Sequence, residues 1–260
     1  MALQLAFEAT GDGPPVIILH GLFGSSSNWR SIARAMAPRY RVLCVDQRNH
    51  GASPWAESMD YVEMAADVQA LIRDQHLQRP VVVGHSMGGK TAMALALSRP
   101  DVIGGLVVVD IAPVAYHDRM SSYVEAMRSL DAAGLASRSE AQRRLAERLP
   151  DPTTAAFLVQ NLVIRNDHFD WRLNLFAIGA AVSTLSGFPP ELLERRYDGP
   201  TTLITGARSD YVTAGDKAAF GRLFPDLEVC TIEGAGHWVH ADRPVEFVAA
   251  LTQALQRSGG

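Results

Sequence analysis

The chain has 260 residues, 47% of them hydrophobic, and a formal net charge of −4 at pH 7. That length supports one large core carrying an insertion, and no Pro/Gly/Ser-rich linker or low-complexity tract divides it. The acidic balance and the lack of a basic run argue against nucleic acid or an anionic membrane as partner, and no apolar stretch of leader or membrane-spanning length is present, so a cytoplasmic protein is expected.

Leu3, Leu5 and Phe7 alternate as in an edge strand. Residues 16–19 form an apolar run that ends at His20-Gly21-Leu22-Phe23-Gly24, and residues 42–45 form another that ends at Asp46. Over residues 61–76, Met64, Ala65, Val68, Leu71 and Ile72 recur at helical spacing and predict a helix with one buried face. Residues 81–83 predict a strand, followed by a helix that stops near Ser98, ahead of Pro100. A further strand at 106–109 closes on Asp110.

The rhythm then changes. Residues 113–197 show no strand pattern but helix-like pieces at 120–133, 139–149, 153–164 and 171–178. Such an insertion, at the edge where strands end, is placed to act as a lid, and its Phe157, Phe169, Trp171, Phe176 and Phe188 are expected to line an acyl pocket. Strands at 202–205 and 229–232 resume the pattern, and Gly234-Ala235-Gly236-His237 follows the last. Alternation of buried strands and helices predicts an α/β fold with a mainly parallel sheet covered on both faces. Its core takes residues 1–112 and 198–260, with 113–197 as the helical insertion. Cys44 and Cys230 fall within strand patterns and are expected to be buried thiols, with no disulfide or metal role.

Gly84-His85-Ser86-Met87-Gly88 is a G-x-S-x-G element between a strand and a helix, the context that presents a serine hydroxyl above a sheet. Ser86 is therefore the expected nucleophile. Residues 84–91 also fit G-x-x-x-x-G-K-[ST], with Lys90 and Thr91 as phosphate and Mg²⁺ ligands and Asp110 as the distal aspartate of a nucleotide site. Against that alternative, only the rest of one helix and one strand separate Lys90 from Asp110, and three predicted strands precede the loop. A serine nucleophile needs a base, and the base a carboxylate, in the chain order Ser, acid, His. His237 suits the base, lying on a glycine-rich loop C-terminal to the rest. Of the other histidines, His20 and His50 suit loop bracing, His85 is expected to be turned from the pocket by alternation with Ser86, His76 and His168 to be solvated, and His117 and His240 to lie near the site. Asp110, at the end of the strand beside the elbow, is a candidate acid.

His20-Gly-Leu-Phe-Gly-Ser25, Arg48-Asn-His-Gly51 with Ser53, the elbow through Lys90, Asp110-Ile-Ala-Pro113 and residues 234–241 together resemble the α/β-hydrolase superfamily over essentially the whole chain, most closely the small bacterial esterases of the YbfF type. The resemblance implies an oxyanion hole from the N–H groups of Leu22 and Met87. Many members carry the acid in a G-x-x-D-x-x-V pattern, where this chain has Ser209, with Asp210 one residue late. The Asp110 patch matches, so Asp110 is the expected acid and Asp210 the alternative. A carboxylic ester hydrolase for small to medium acyl esters is expected, working through an acyl-enzyme without cofactor or metal. The same triad would serve thioesters, amides, C–C bond hydrolysis or perhydrolysis, and a silent ligand-binding relative is a further alternative. The partner expected is a small-molecule ester or thioester.

Overall fold

In the computed structural model, which describes residues 2–149 and 151–259, the apolar runs become strands of one sheet. β1 (Phe7–Thr10), β2 (Pro15–Leu19), β3 (Arg41–Val45), β4 (Val81–His85) and β5 (Gly105–Val109) precede the insertion. β6 (Leu162–Arg165) and β7 (His168–Trp171) lie inside it, and β8 (Thr201–Gly206) and β9 (Leu227–Ile232) follow. The main sheet runs β1-β3-β2-β4-β5-β8-β9, antiparallel only where edge strand β1 meets β3. The edge strand starts at Phe7 rather than Leu3, whose N–H is already taken by the Asp67 carboxylate at 2.7 Å.

From β2 the chain steps outward to β3 and returns past β2 to β4. Strand order therefore reverses between β2 and β4, and a crevice opens there at their carboxyl ends. The residues that follow these strands, Gly21 and Ser86, face each other across it. An ideal Cβ on Gly21 would lie 3.3 Å from the Ser86 Cβ.

The middle of the sheet is buried on both faces because β2, β4 and β5 are almost wholly apolar, as parallel strands under helices must be, whereas the edge strands β1 and β9 carry exposed polar residues. Ile17, Leu43, Val82 and Val108 share one core, and Ile18, Cys44, Val83 and Val109 the other. Of the helices, α1 (Arg30–Met36) packs in the second core, while α2 (Tyr61–Asp74) and α3 (Met87–Ser98) cover the first. Asp60 caps α2 by accepting the Glu63 N–H at 2.8 Å. The buried Arg48 ties the 46–53 loop to α2 through Asp67 at 2.7 Å and Glu63 at 2.8 Å.

Residues between β5 and β8 carry α4 (Ser121–Arg128), α5 (Arg138–Ala146), α6 (Ala155–Leu158) and α7 (Leu175–Ser186). They also contain a strand pair, β6 with β7, which corrects the expectation of a strand-free insertion. The cause is a two-residue turn, Asn166 at φ 47° and Asp167 at φ 64°, both left-handed, as a tight hairpin requires and as Asn and Asp tolerate. The helix expected at 153–164 shrinks to α6 with short 3₁₀ turns, and that expected at 171–178 starts later, at Leu175 behind the Asn174 cap. After β8 come α8 (Asp216–Leu223), then α9 (Val239–Asp242) and α10 (Pro244–Arg257), which lays Phe247, Leu251 and Leu255 in the second core.

Candidate active site

Ser86 stands between β4 and α3 at φ 52°, ψ −118°, a conformation that costs a side chain of order 1–3 kcal/mol and is kept only when its surroundings fix it. Here its N–H donates to Val109 O at 3.0 Å and its C=O accepts from Lys90 N–H at 3.1 Å. The turn is so tight that a Cβ on Gly84 would lie 2.1 Å from Gly88 O, and one on Gly88 2.4 Å from Leu19 O. Ser86 is half-buried while every neighbour from Val81 to Leu97 is buried, so the turn exposes this one side chain.

At the end of β5, Asp110 also has a left-handed backbone, φ 52°, and is completely buried. Its Oδ1 accepts the Gly206 N–H at 3.1 Å, and its Oδ2 accepts His237 Nδ1–H at 2.7 Å and the Ser209 hydroxyl. A carboxylate only accepts, so the imidazole proton sits on Nδ1 and the Nε2 lone pair is left free. Tyr211 stacks on the imidazole with ring centres 3.8 Å apart and planes within 16°. Behind it, His85 Nε2–H donates to the His237 main-chain carbonyl at 2.9 Å. The alternative acid, Asp210, lies at the surface in an ion pair with Arg119 at 3.1 Å, its side chain 68% exposed. Ser209 occupies the position where the commoner pattern has its acid, and it donates to Asp110 instead.

After β2, residues 21–24 make a turn closed by Gly24 N–H donating to Gly21 O at 2.9 Å, with Phe23 left-handed at φ 61°. Two buried histidines brace it. His50 Nε2 accepts the Phe23 N–H at 3.2 Å while its Nδ1–H donates to Arg48 O at 2.9 Å. His20 Nε2 accepts the Gln47 N–H at 3.0 Å, and its Nδ1–H donates to Gly21 O at 2.8 Å. Burial pushes His50 down to about 3 and holds His20 below the ordinary histidine value, so both stay neutral as these hydrogen bonds require. The N–H groups of Leu22 and of Met87, first residue of α3, meet no protein acceptor among the described residues.

Lys90 points into the insertion. Its Nζ donates to Val114 O at 2.9 Å, Ser186 O at 3.0 Å and Gly187 O at 2.6 Å, and lies 4.7 Å from the Tyr116 ring centre. Burial pulls its pKa down to about 7. The Thr91 hydroxyl donates to Met87 O within α3, and Asp110 turns to His237. The three side chains of the nucleotide-site alternative thus have separate partners and do not form a phosphate cradle.

Two cavities meet at Ser86. A smaller one of about 300 Å³ has walls from Tyr61, Met87, Ile111, Val114, Val182 and Leu185, with Lys90, His117, Arg119, Asp210 and Asp216 also lining it. A wider one of about 570 Å³ runs past His237, Trp238 and Phe157, and Leu22 borders both. Of the five insertion aromatics expected to line an acyl pocket, only Phe157 borders either cavity. Phe176 is 75% exposed, Phe188 packs near Tyr61, Trp171 is buried in the core, and Phe169 lies against it beneath Arg138. Because α7 begins at Leu175 and not at Trp171, Phe176 falls on its exposed face.

His85 edges the wider cavity rather than facing away from it, and His240 is buried against Trp29, ring centres 4.0 Å apart, and pushed down to about 3. His76 and His168 are exposed. Cys44 is buried, its thiol pushed up to about 12, whereas Cys230 is only half-buried because β9 is an edge strand. No cluster of metal-ligating side chains occurs among the described residues, and no helix among them is long and apolar enough to cross a membrane. The sequence places Ser209 where the commoner pattern has its acid, but gives no sign that Ser209 and Tyr211 meet Asp110 and His237, since nothing local signals that β8 ends beside β5.

The family model for the alpha/beta hydrolase fold matches residues 14–244. The chain is 38% identical over 258 residues to an sn-1-specific diacylglycerol lipase of Danio rerio, covering 96% of this chain and 81% of that protein. It is 33% identical over 242 residues to esterase YbfF of Escherichia coli K12, covering 93% and 92%. Among solved structures, a marine microorganism esterase superposes with a TM-score of 0.93 at 35% identity, covering 97% and 99% of the two chains. The reversed strand order, the serine turn at its crevice and these matches agree, and the chain belongs to the α/β-hydrolase fold family.

Proposed function

We propose that this protein is a serine carboxylesterase that works through an acyl-enzyme. The observation that carries the reading is the 2.7 Å bond from His237 Nδ1 to the fully buried Asp110, with His237 and the strained Ser86 lining the same cavity. In this reading Ser86 Oγ attacks the ester carbonyl and gives its proton to His237 Nε2. Asp110 fixes the tautomer and stabilises the imidazolium, and Ser209 and Gly206 N–H hold the carboxylate in place. The N–H groups of Leu22 and Met87 receive the oxyanion at the positive end of α3. The imidazolium then protonates the leaving alcohol, which must lie on the His237 side. This assigns the wider cavity to the alcohol and the smaller cavity, with its aliphatic stretch from Ile111, Val114, Val182 and Leu185, to the acyl group. Water enters by the same route, and His237 activates it to release the acid.

The insertion acts as the lid, since Val114, Val182 and Leu185 roof the acyl cavity. Substrates are small to medium acyl esters, in line with an acyl cavity of about 300 Å³ at the small end of ligand sites. The test is labelling by a fluorophosphonate probe together with a p-nitrophenyl ester series of rising acyl length. Labelling lost in Ser86→Ala, with kcat/KM falling once the acyl chain outgrows the cavity, is expected. Ester turnover that survives Ser86→Ala overturns the reading.

A further inference from the structure

We infer that Asn161, a residue of the insertion, is a positioning residue for the oxyanion-hole turn, so that the insertion helps to build the catalytic machinery it covers. The inference rests on the proposed role of the Leu22 N–H. That donor sits in the turn at 21–24, whose residue Phe23 has a left-handed backbone that a side chain rarely holds without outside constraint. One constraint comes from the core, where His50 Nε2 accepts the Phe23 N–H. The other comes from 138 residues along the chain, where Asn161 Nδ2–H donates to Phe23 O at 2.8 Å.

Asn161 is 1% exposed, and its orientation is fixed chemically. Both acceptors near Nδ2 are carbonyls, Phe23 O and Leu158 O, so the amide nitrogen must face them, while Arg172 Nε–H approaches Oδ1 at 3.4 Å. Arg172 also donates its N–H to Asn161 O at 2.9 Å and its Nη2–H to Ser25 Oγ at 2.9 Å. Asn161 precedes β6 and Arg172 follows β7, so both legs of the hairpin grip the segment that carries Leu22.

Holding the Phe23 carbonyl fixes the plane of the turn and with it the direction of the Leu22 N–H. The oxyanion of the tetrahedral intermediate carries more charge than the substrate carbonyl and sits in a different place. A displaced donor therefore costs the transition state more than the bound ester.

Asn161→Asp, nearly isosteric, sets an acceptor against the Phe23 carbonyl. With p-nitrophenyl butyrate, kcat is expected to fall about 10- to 100-fold while KM stays within about threefold. The Ki of a trifluoromethyl ketone, whose adduct with Ser86 carries the oxyanion, is expected to rise by the same factor as kcat/KM falls. Arg172→Met, at a half-buried site, should show the same pattern at smaller size, and it carries the test if Asn161→Asp does not fold. Folded variants with kcat and Ki within about twofold of the parent overturn the inference, as does a rise in KM alone, which would place Asn161 in substrate contact. Turnover surviving Ser86→Ala would instead remove the underlying serine mechanism, so the two failures are separable.

Discussion

At the scale of single residues, the site depends on acceptors and donors that cannot exchange roles. Asp110 has no exposed surface and receives three donors, so its charge is matched by hydrogen bonds rather than by a cation, and His237 is held in one tautomer as a result. Replacing Asp110 by Asn lets an amide N–H face the imidazole and stabilises the wrong tautomer. Asp110→Asn is therefore expected to cost about 10⁴ in kcat while the fold survives, which steady-state kinetics with circular dichroism checks. Asp210→Asn removes an exposed ion pair with Arg119 beside the smaller cavity but no bond to His237, and kcat should stay within about threefold. Near-normal turnover in folded Asp110→Asn would return the acid role to another carboxylate. In the proposed triad serine, base and acid act as a unit, so Ser86→Ala is expected to lose on the order of 10⁶ in kcat.

At the scale of elements, α3 does two tasks with one sequence. Its first turn leaves backbone N–H groups uncapped beside Ser86, and one turn later Lys90 ties α3 to the start of the insertion and to the end of α7 through three carbonyls. Lys90→Met keeps the aliphatic stem and removes all three bonds. Urea unfolding should show a loss of about 1–3 kcal/mol, with kcat for a short acyl ester within about tenfold. Abolished turnover in a folded Lys90→Met protein would bring Lys90 into the chemistry. The tightness of the elbow predicts a harsher outcome for Gly88→Ala, since its Cβ would meet backbone oxygens of Leu19 and His20 at 2.4 and 2.6 Å. Neither can move without breaking the crevice, so loss of soluble or active protein is expected, measured against Gly221→Ala, where a Cβ meets nothing within 4 Å.

Over the whole molecule, burial of neutral histidines sets the response to acid. His50 and His240 accept a proton only near pH 3 when folded, against about 6.5 in the unfolded chain, because burial penalises the charged ring. Between those values the unfolded chain holds more protons, so stability rises with pH and is lost as the pH falls from about 6.5 towards 3. The slope is up to about 1.4 kcal/mol per pH unit for each such histidine. Melting temperature should therefore drop steeply between pH 6.5 and 4.5, and less steeply in His240→Phe, which keeps the ring stacked on Trp29 and carries no proton. A melting curve flat over that interval would show that these rings are not held neutral.

The sequence by itself determined the strands and the elbow, because a parallel strand buried on both faces must be apolar throughout and a serine on a sharp turn must be flanked by glycine. Those are local demands, satisfied by neighbours in the chain. Chain order and a motif likewise singled out Ser86, His237 and a choice between Asp110 and Asp210. Only the tertiary structure brought Ser209 and Gly206 to Asp110, stacked Tyr211 on His237, and set Asn161 against Phe23. Each of those contacts joins residues brought together by a crossover or by the insertion, and no local periodicity records where such a connection returns. The β6–β7 hairpin stayed hidden for a related reason. Its strands are four residues each and half-exposed, too short for alternation to outweigh a helical pattern, and its register rests on two left-handed residues.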